Sequence, residues 1–293
     1  MNRIQNSIAV LGIIGILSGQ PAAISAQSTQ SSISQLTEQD YLQQGTDKYK
    51  QGNYEGAIAD FTQAIQLNPR SDVAYEARGN ARDDNGDSTG AIADYQQALK
   101  INPNSYTTYF NQGIAYEKLK NYDAAIASYT QTIKLNPEYA AAYENRGNIL
   151  DDKGDRTAAL ADYKQAIRIN PNNPSIYYNQ GITYARLKDY QAAIASFSQT
   201  IKLDPNYFLA YNNRGIIFSN LGDRTAAIQD FNQALKINPK LANTYYNRGL
   251  LYVALKNNQL AIQDFQQAAN LYKLENRTED YQDALARIKE LQQ

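Results

Sequence analysis

With no histidine and no cysteine among 293 residues, any chemistry in this chain falls to carboxylates, hydroxyls, amides and lysines. The commonest general base, the thiolate nucleophile, zinc sites of the usual kind and disulfides are removed together. In "DDNGDSTGAIAD", Asp83, Asn85, Asp87 and Asp94 stand at offsets 1, 3, 5 and 12 of a calcium loop, but Ser88 occupies the turn position that calls for glycine. Asp84 and Asp152 are carboxylates that a groove would need to bring together before they could act as acid and base. No glycine-rich phosphate loop, nucleophile elbow or metal triad accompanies them. The expectation is therefore a protein that is not an enzyme and holds neither cofactor nor metal. A second set of residues suits binding instead: Asn111, Asn145, Asn179, Asn213 and Asn247 recur at one interval. Each carboxamide offers a donor and an acceptor, which matches the backbone of an extended peptide whatever its sequence. Lys plus Arg (28) and Asp plus Glu (29) nearly cancel, and no basic stripe could neutralise a run of phosphates, so nucleic acid is not an expected partner.

The asparagines keep step with glycines 34 residues apart: Gly45, Gly79, Gly113, Gly147, Gly181, Gly215 and Gly249. A Tyr stands four residues before each of these, an Ala twelve after and a Phe or Tyr sixteen after, and Pro closes the first six units. In "AYENRGNILDDKGDRTAALADYKQAIRINP", Tyr143, Gly147 and Leu150 share one helical face, and Gly154-Asp155 breaks the helix. A second stripe of Ala159, Leu160, Tyr163, Ala166, Ile167 and Ile169 runs to Asn170-Pro171, where the missing amide hydrogen forbids continuation. A mid-helix glycine costs about 1 kcal/mol relative to alanine. Its recurrence predicts a partner helix too close for a Cβ, with the alanine twelve residues on as its counterpart. One such pair cannot bury its apolar face alone, so units must stack.

The period, glycine, alanine, aromatics and terminal proline together resemble the tetratricopeptide repeat family, over about four fifths of the chain. Counting that glycine as position 8 of each unit, the main departure is position 7, where the family often has Leu and this chain has Arg or Gln. The resemblance implies an all-α, right-handed superhelical solenoid of seven helix-turn-helix units over residues 38–275. The stripe Tyr281, Leu285, Ile288 and Leu291 adds a capping helix within residues 276–293, with Asn276 and Glu279 spaced like a capping box. Position 7 varies together with position 23: Arg78, Arg146, Arg214 and Arg248 accompany Asp94, Asp162, Asp230 and Asp264, whereas Gln112 and Gln180 accompany Ser128 and Ser196. Contacts between the two helices of a unit are expected there, with Gln44 and Asp60 as the exception.

In tetratricopeptide proteins positions 2, 5, 6, 9, 12 and 13 line a concave groove, and similar asparagine rows bind peptide in some members. By that resemblance the asparagine row lines the groove, with Glu76, Asp83, Glu144 and Asp151 acidic toward one end and Phe110, Tyr178 and Tyr246 aromatic between them. Ile182, Leu209, Ile216, Leu250 and Val253 make the other end apolar. The expected partner is a protein or peptide segment, basic at one end and apolar at the other.

At the N-terminus, Arg3, the ten apolar residues Ile8 to Leu17 and the small residues before Gln27 read as a signal peptide over residues 1–26, followed by a Ser/Gln-rich linker over 27–37. The apolar run is short for about 30 Å of hydrocarbon, so no stable span is expected after processing. The wording of the units resembles cyanobacterial members of the family. The expectation is an exported scaffold or adaptor in a periplasm or thylakoid lumen. Alternatives are a photosystem assembly factor, an envelope adaptor for peptidoglycan enzymes and, remotely, a carboxylate-based enzyme.

Overall fold

The computed structural model describes residues 36–293, so the expected signal segment and residues 27–35 of the linker lie outside the described residues. Those described form fifteen α-helices and no strand. The odd helices, the A helices, are α1 (Glu38–Lys50), α3 (Asp72–Asp84), α5 (Tyr106–Lys118), α7 (Ala140–Lys153), α9 (Pro174–Arg186), α11 (Phe208–Asn220) and α13 (Ala242–Ala254). The even helices, the B helices, are α2 (Tyr54–Leu67), α4 (Ser88–Ile101), α6 (Tyr122–Leu135), α8 (Arg156–Ile169), α10 (Tyr190–Leu203), α12 (Arg224–Ile237) and α14 (Asn258–Leu274), and α15 (Thr278–Leu291) follows.

The boundaries come from side chains that satisfy orphan backbone groups. Position 16 is Asn or Asp in every unit, and its oxygen accepts the N3 amide of the B helix, as Asp155 does from Ala158. Each of the first six B helices ends at Asn or Asp before Pro. There Asn68 Oδ1, for example, accepts the Arg70 amide while its Nδ2 donates to Glu38. Thr37, grouped with the linker by composition, belongs to the fold: it caps α1 and shares a capping box with Asp40. The A-to-B turn needs one left-handed residue. Gly154 supplies it in unit four at φ +94°, but Lys120, Lys188 and Lys256 take it in units three, five and seven at φ +59°, +61° and +57°.

Each A helix packs on its own B helix and on the B helix before it. Consecutive A helices also touch (α1 with α3, α3 with α5, α7 with α9, α11 with α13), and no two B helices make a comparable contact among the described residues, so the solenoid curves toward its A helices. All seven position-8 glycines are buried. The sequence named the alanine at position 20 as their counterpart; the structure puts the aromatic ring of position 24 there instead. A Cβ on Gly113 would lie 2.5 Å from Tyr129, and one on Gly147 3.0 Å from Tyr163. Alanine is the secondary contact, through the Ala159 carbonyl 3.3 Å from the Gly147 position.

The Arg–Asp pairs are present and reach further than their two helices. Arg214 donates Nε and Nη2 to Asp230 at 2.7 Å each, Nη1 to Ser198 on the preceding B helix at 2.8 Å, and lies over the Tyr211 ring. Arg78, Arg146 and Arg248 repeat this with Thr62, Thr130 and Asn232 as third partners. Gln112 and Gln180 each accept from their serine, at 3.1 and 3.0 Å. Asp60, without an arginine, pairs with Lys48 at 2.6 Å.

The ends are built differently from the middle. Positions 3 and 10 face the preceding unit and are buried in units two to seven, as Ala74 and Ala81 are, but unit one places Asp40 and Asp47 there, both exposed. At the other end α15 covers Ala268, Ala269 and Tyr272 with Tyr281 and Ala284. Its expected capping box does not form. Asn276 is left-handed at φ +58°, the N-cap is Arg277 without a side-chain cap bond, and Arg277 stacks 4.4 Å from the Tyr272 centroid and bonds Asp280.

Two outcomes follow for stability. Gly113→Ala lowers the urea midpoint and Gly147→Ala does not, because about 1–3 kcal/mol of overpacking outweighs the roughly 1 kcal/mol helix-propensity gain only at the tighter site. Lys188→Gly raises the thermal midpoint, since the left-handed conformation costs a β-carbon about 1 kcal/mol, and a lowered or unmoved midpoint counts against that account.

Candidate functional site

The inner face is the face of the A helices, and its polar groups are largely tied from one unit to the next. Asn111 Nδ2 donates to Asn80 Oδ1 at 3.0 Å, Asn145 Nδ2 to Tyr129 Oη at 3.4 Å, Asn179 Nδ2 to Glu144 Oε1 at 3.3 Å and Asn213 Nδ2 to Tyr178 Oη at 3.1 Å. In each case the acceptor belongs to the preceding unit. The amide oxygens of Asn111, Asn145, Asn179 and Asn247 accept no hydrogen bond among the described residues, whereas that of Asn213 accepts from Asn212 at 3.1 Å. All five asparagines are half-buried. The row therefore presents acceptors more than donors.

The acidic lining divides in two. Asp83 and Asp151, read from sequence as groove residues, are instead buried, and each is ion-paired to the base at position 13 of the next unit. Lys118 reaches Asp83 at 2.8 Å, and Arg186 binds both Asp151 and Asp152. At position 12 of units two and four the aspartate is thus a fastening between units, because burial without a cation would be too costly. Asp94 is held by Arg78 and Arg82, and Asp87 caps α4, so the residues at calcium-loop offsets are committed elsewhere. Asp84 accepts from Tyr49 and Asp152 from Arg186, so this acid pair is dispersed between separate partners.

Position 5 is different. Glu76 accepts from Thr108 and Ser105, and Glu144 from Asn173 and Asn179 at 3.3 Å each. Neither has a cation within ion-pair distance among the described residues. Burial raises the Glu144 carboxyl above its ordinary pKa, opposed by the Asn173 hydrogen bond. The aromatic residues at position 5 lie on the core: Phe110 meets Tyr129 and Tyr139 at 5.6 and 4.9 Å between centroids, Tyr178 meets Phe197 and Tyr207, and Tyr246 meets Phe265 and Tyr272. They are half-buried, leaving an edge on the inner face.

One pattern in the units escaped the sequence reading. Tyr95 Oη donates to Asn80 Oδ1 at 2.8 Å and Tyr163 Oη to Asn148 Oδ1 at 2.9 Å, so a tyrosine at position 24 calls for an asparagine at position 9. Tyr129 reaches Glu117 instead, at 3.1 Å. Where position 24 is Phe197, Phe231 or Phe265, position 9 is Ile182, Ile216 or Leu250. The change of the inner face from polar to apolar along the chain is coupled to the core ring beneath it. The joint variation of positions 9 and 24 was the signal available.

No helix among the described residues is long and apolar enough to cross a membrane. Profiles described as tetratricopeptide repeat match residues 42–106, 106–139, 174–207, 208–241 and 242–273, and one described as TPR repeat matches 147–188. No curated protein matches the sequence. Among solved structures, MamA is 28% identical, covering 56% of this chain and 96% of that one, with a TM-score of 0.54. A tetratricopeptide repeat protein from Parabacteroides merdae is 20% identical, covering 85% and 98%, with a TM-score of 0.63. YrrB, described as a TPR protein with an unusual peptide-binding site, is 22% identical, covering 67% and 97%, with a TM-score of 0.56. The last two likenesses carry the fold. With repeat profiles spanning most of residues 42–273 and seven helix pairs at a constant 34-residue interval, the chain belongs to the tetratricopeptide repeat family.

Proposed function

We propose that this protein is a non-catalytic interaction scaffold, acting outside the cytoplasm, that holds an extended protein segment along its A-helix face. The observation that carries the reading is the row of unfilled carboxamide oxygens at position 6, aligned over successive units by the hydrogen bonds of their own nitrogens. Oxygens fixed in this way can accept backbone N–H groups of a chain without reading its sequence. YrrB, with its peptide-binding site, supports the class of ligand. The short apolar segment near the N-terminus, Ile8 to Leu17, supports export to a periplasm or lumen.

Selectivity comes from the flanking positions. Glu76 and Glu144, like Asp84 at position 13, have no cation within ion-pair distance among the described residues, and they favour lysine or arginine on the segment. Units five to seven offer Ile182, Ile216 and Leu250, which favour apolar residues. Of the four carboxylates that the sequence placed at the acidic end, Asp83 and Asp151 are consumed as ion pairs, and Glu76 and Glu144 at position 5 keep that role.

Changing Asn111, Asn145 and Asn179 together to alanine is expected to abolish recovery of partners from envelope extract while leaving the circular-dichroism melt cooperative. Equal recovery by both baits would remove the reading. Glu144→Gln is expected to weaken capture of a Lys-bearing partner and to stabilise the fold at neutral pH. A carboxyl whose folded pKa is raised binds more protons in the native state, so wild-type stability falls as pH rises from the unfolded value through the folded one. The variant's advantage in thermal midpoint should therefore grow from acid toward neutral pH, and a constant difference would contradict it.

A further inference from the structure

The six junctions between units are of two kinds, and three helices take part in the difference. Entering units two, four, six and seven, the arginine of position 7 holds the aspartate of position 23 on its own B helix. It also donates to a side-chain oxygen at position 25 of the B helix before it: Thr62, Thr130, Ser198 or Asn232. Entering units three and five, all three positions change together. Gln112 and Gln180 accept from Ser128 and Ser196 of their own unit, and position 25 of the preceding B helix is Gln96 or Lys164. Lysine has no acceptor to offer an arginine, and Gln96 donates to Tyr116 instead, at 3.4 Å.

At these two junctions the side-chain bonds run between A helices. Ser105 and Thr108 donate to Glu76, Asn111 to Asn80 at 3.0 Å and Lys118 to Asp83 at 2.8 Å, which ties α5 to α3. Asn173 and Asn179 donate to Glu144, and Arg186 to Asp151 and Asp152, which ties α9 to α7. From position 5 to position 12 each set runs about 10 Å along the helix, all of it on the inner face. Toward the outer face the junction rests on packing of the A helix against the preceding B helix, with the long Gln96–Tyr116 bond added at one of the two. A line of ties along one edge with a looser opposite edge is the construction of a hinge.

We propose that the solenoid is three rigid blocks, units one and two, units three and four, and units five to seven with α15, which pivot along the α3–α5 and α7–α9 lines. With the inner spacing held by the A-helix ties, movement of α4 against α6, or of α8 against α10, changes the outer spacing alone and so changes the curvature. The arginine forbids this at the other four junctions, because parting the B helices there would strand a half-satisfied guanidinium in a mostly buried place. Both pivot lines carry a groove carboxylate, Glu76 or Glu144, so a basic segment lying there touches the ties on which the blocks turn. That the pivoting fits the groove to its segment rests on the function proposed above; the pivots themselves do not.

The chain has no cysteine, and position 26 is glutamine in every unit, so spin labels can be set at equivalent outer sites of the full chain. Gln97→Cys with Gln165→Cys spans the first pivot, Gln131→Cys with Gln199→Cys the second, and Gln199→Cys with Gln267→Cys only bridged junctions. Double electron–electron resonance is expected to give a broader distance distribution for the first two pairs than for the third. The excess width should be lost in Q96T/Q112R/S128D at the first pivot and in K164T/Q180R/S196D at the second, since each rebuilds the arginine junction native to the other units. Equal widths in the three labelled pairs overturn the proposal without any rebuilt variant, and so does excess width retained in a rebuilt chain that melts cooperatively. Should a rebuilt chain not fold, R214Q/D230S decides from the other side: it must broaden the third pair, and an unchanged width overturns the proposal. No partner is present in these measurements, so their failure leaves the groove reading standing, and equal recovery by the asparagine variant leaves the pivots standing.

Discussion

The close approach of a glycine to an aromatic ring within each helix pair is the constraint on which the rest depends. With hydrogen at position 8, the ring at position 24 can lie against the A-helix backbone, fully buried in every unit. That contact fixes the separation and rotation of the two helices. Repeated seven times in one register, a fixed pair geometry becomes a solenoid, because each unit's uncovered face is the next unit's footing. The polar residues Asp40 and Asp47 and the helix α15 end the stack by withdrawing that footing.

Between units the restraint is polar. The arginine of position 7 ties one A helix to two B helices through a bidentate carboxylate bond, a third hydrogen bond and an aromatic face. Such a network fixes direction more firmly than apolar contact alone, since a half-satisfied guanidinium in a mostly buried place is costly. Where glutamine and serine stand in its place, the side chains bond each other within the unit and no bond from position 7 reaches the preceding B helix among the described residues. The junctions made by units three and five thus lack the arginine bridge that units two, four, six and seven share.

The inner face inherits its character from below. A tyrosine ring whose hydroxyl emerges on the A helix requires an acceptor, at position 9 for Tyr95 and Tyr163 and at position 12 for Tyr129, and burial keeps the Tyr95 and Tyr129 phenols protonated by raising them well above the usual value. Phe197, Phe231 and Phe265 make no such demand, and Ile182, Ile216 and Leu250 take the place; unit one, with Phe61, has Thr46 there. Chemistry on the recognition surface is in this way constrained by core composition.

Sequence alone determined the local order: helix pairs, the register of seven units and the Arg–Asp contacts. All of these depend on residues at short fixed spacing, and the chain states them seven times over. What only the tertiary structure decided is which of the groove residues remain available. Asp83 and Asp151 share their face with Glu76 and Glu144 and look alike in the sequence, yet two are fastened to Lys118 and Arg186 of the following unit and two are not. The aromatic partner of each glycine and the third bond of each arginine belong to the same class. Each depends on how side chains from different helices meet in space, and that distance is set by the stacking of whole units, which no single repeat encodes.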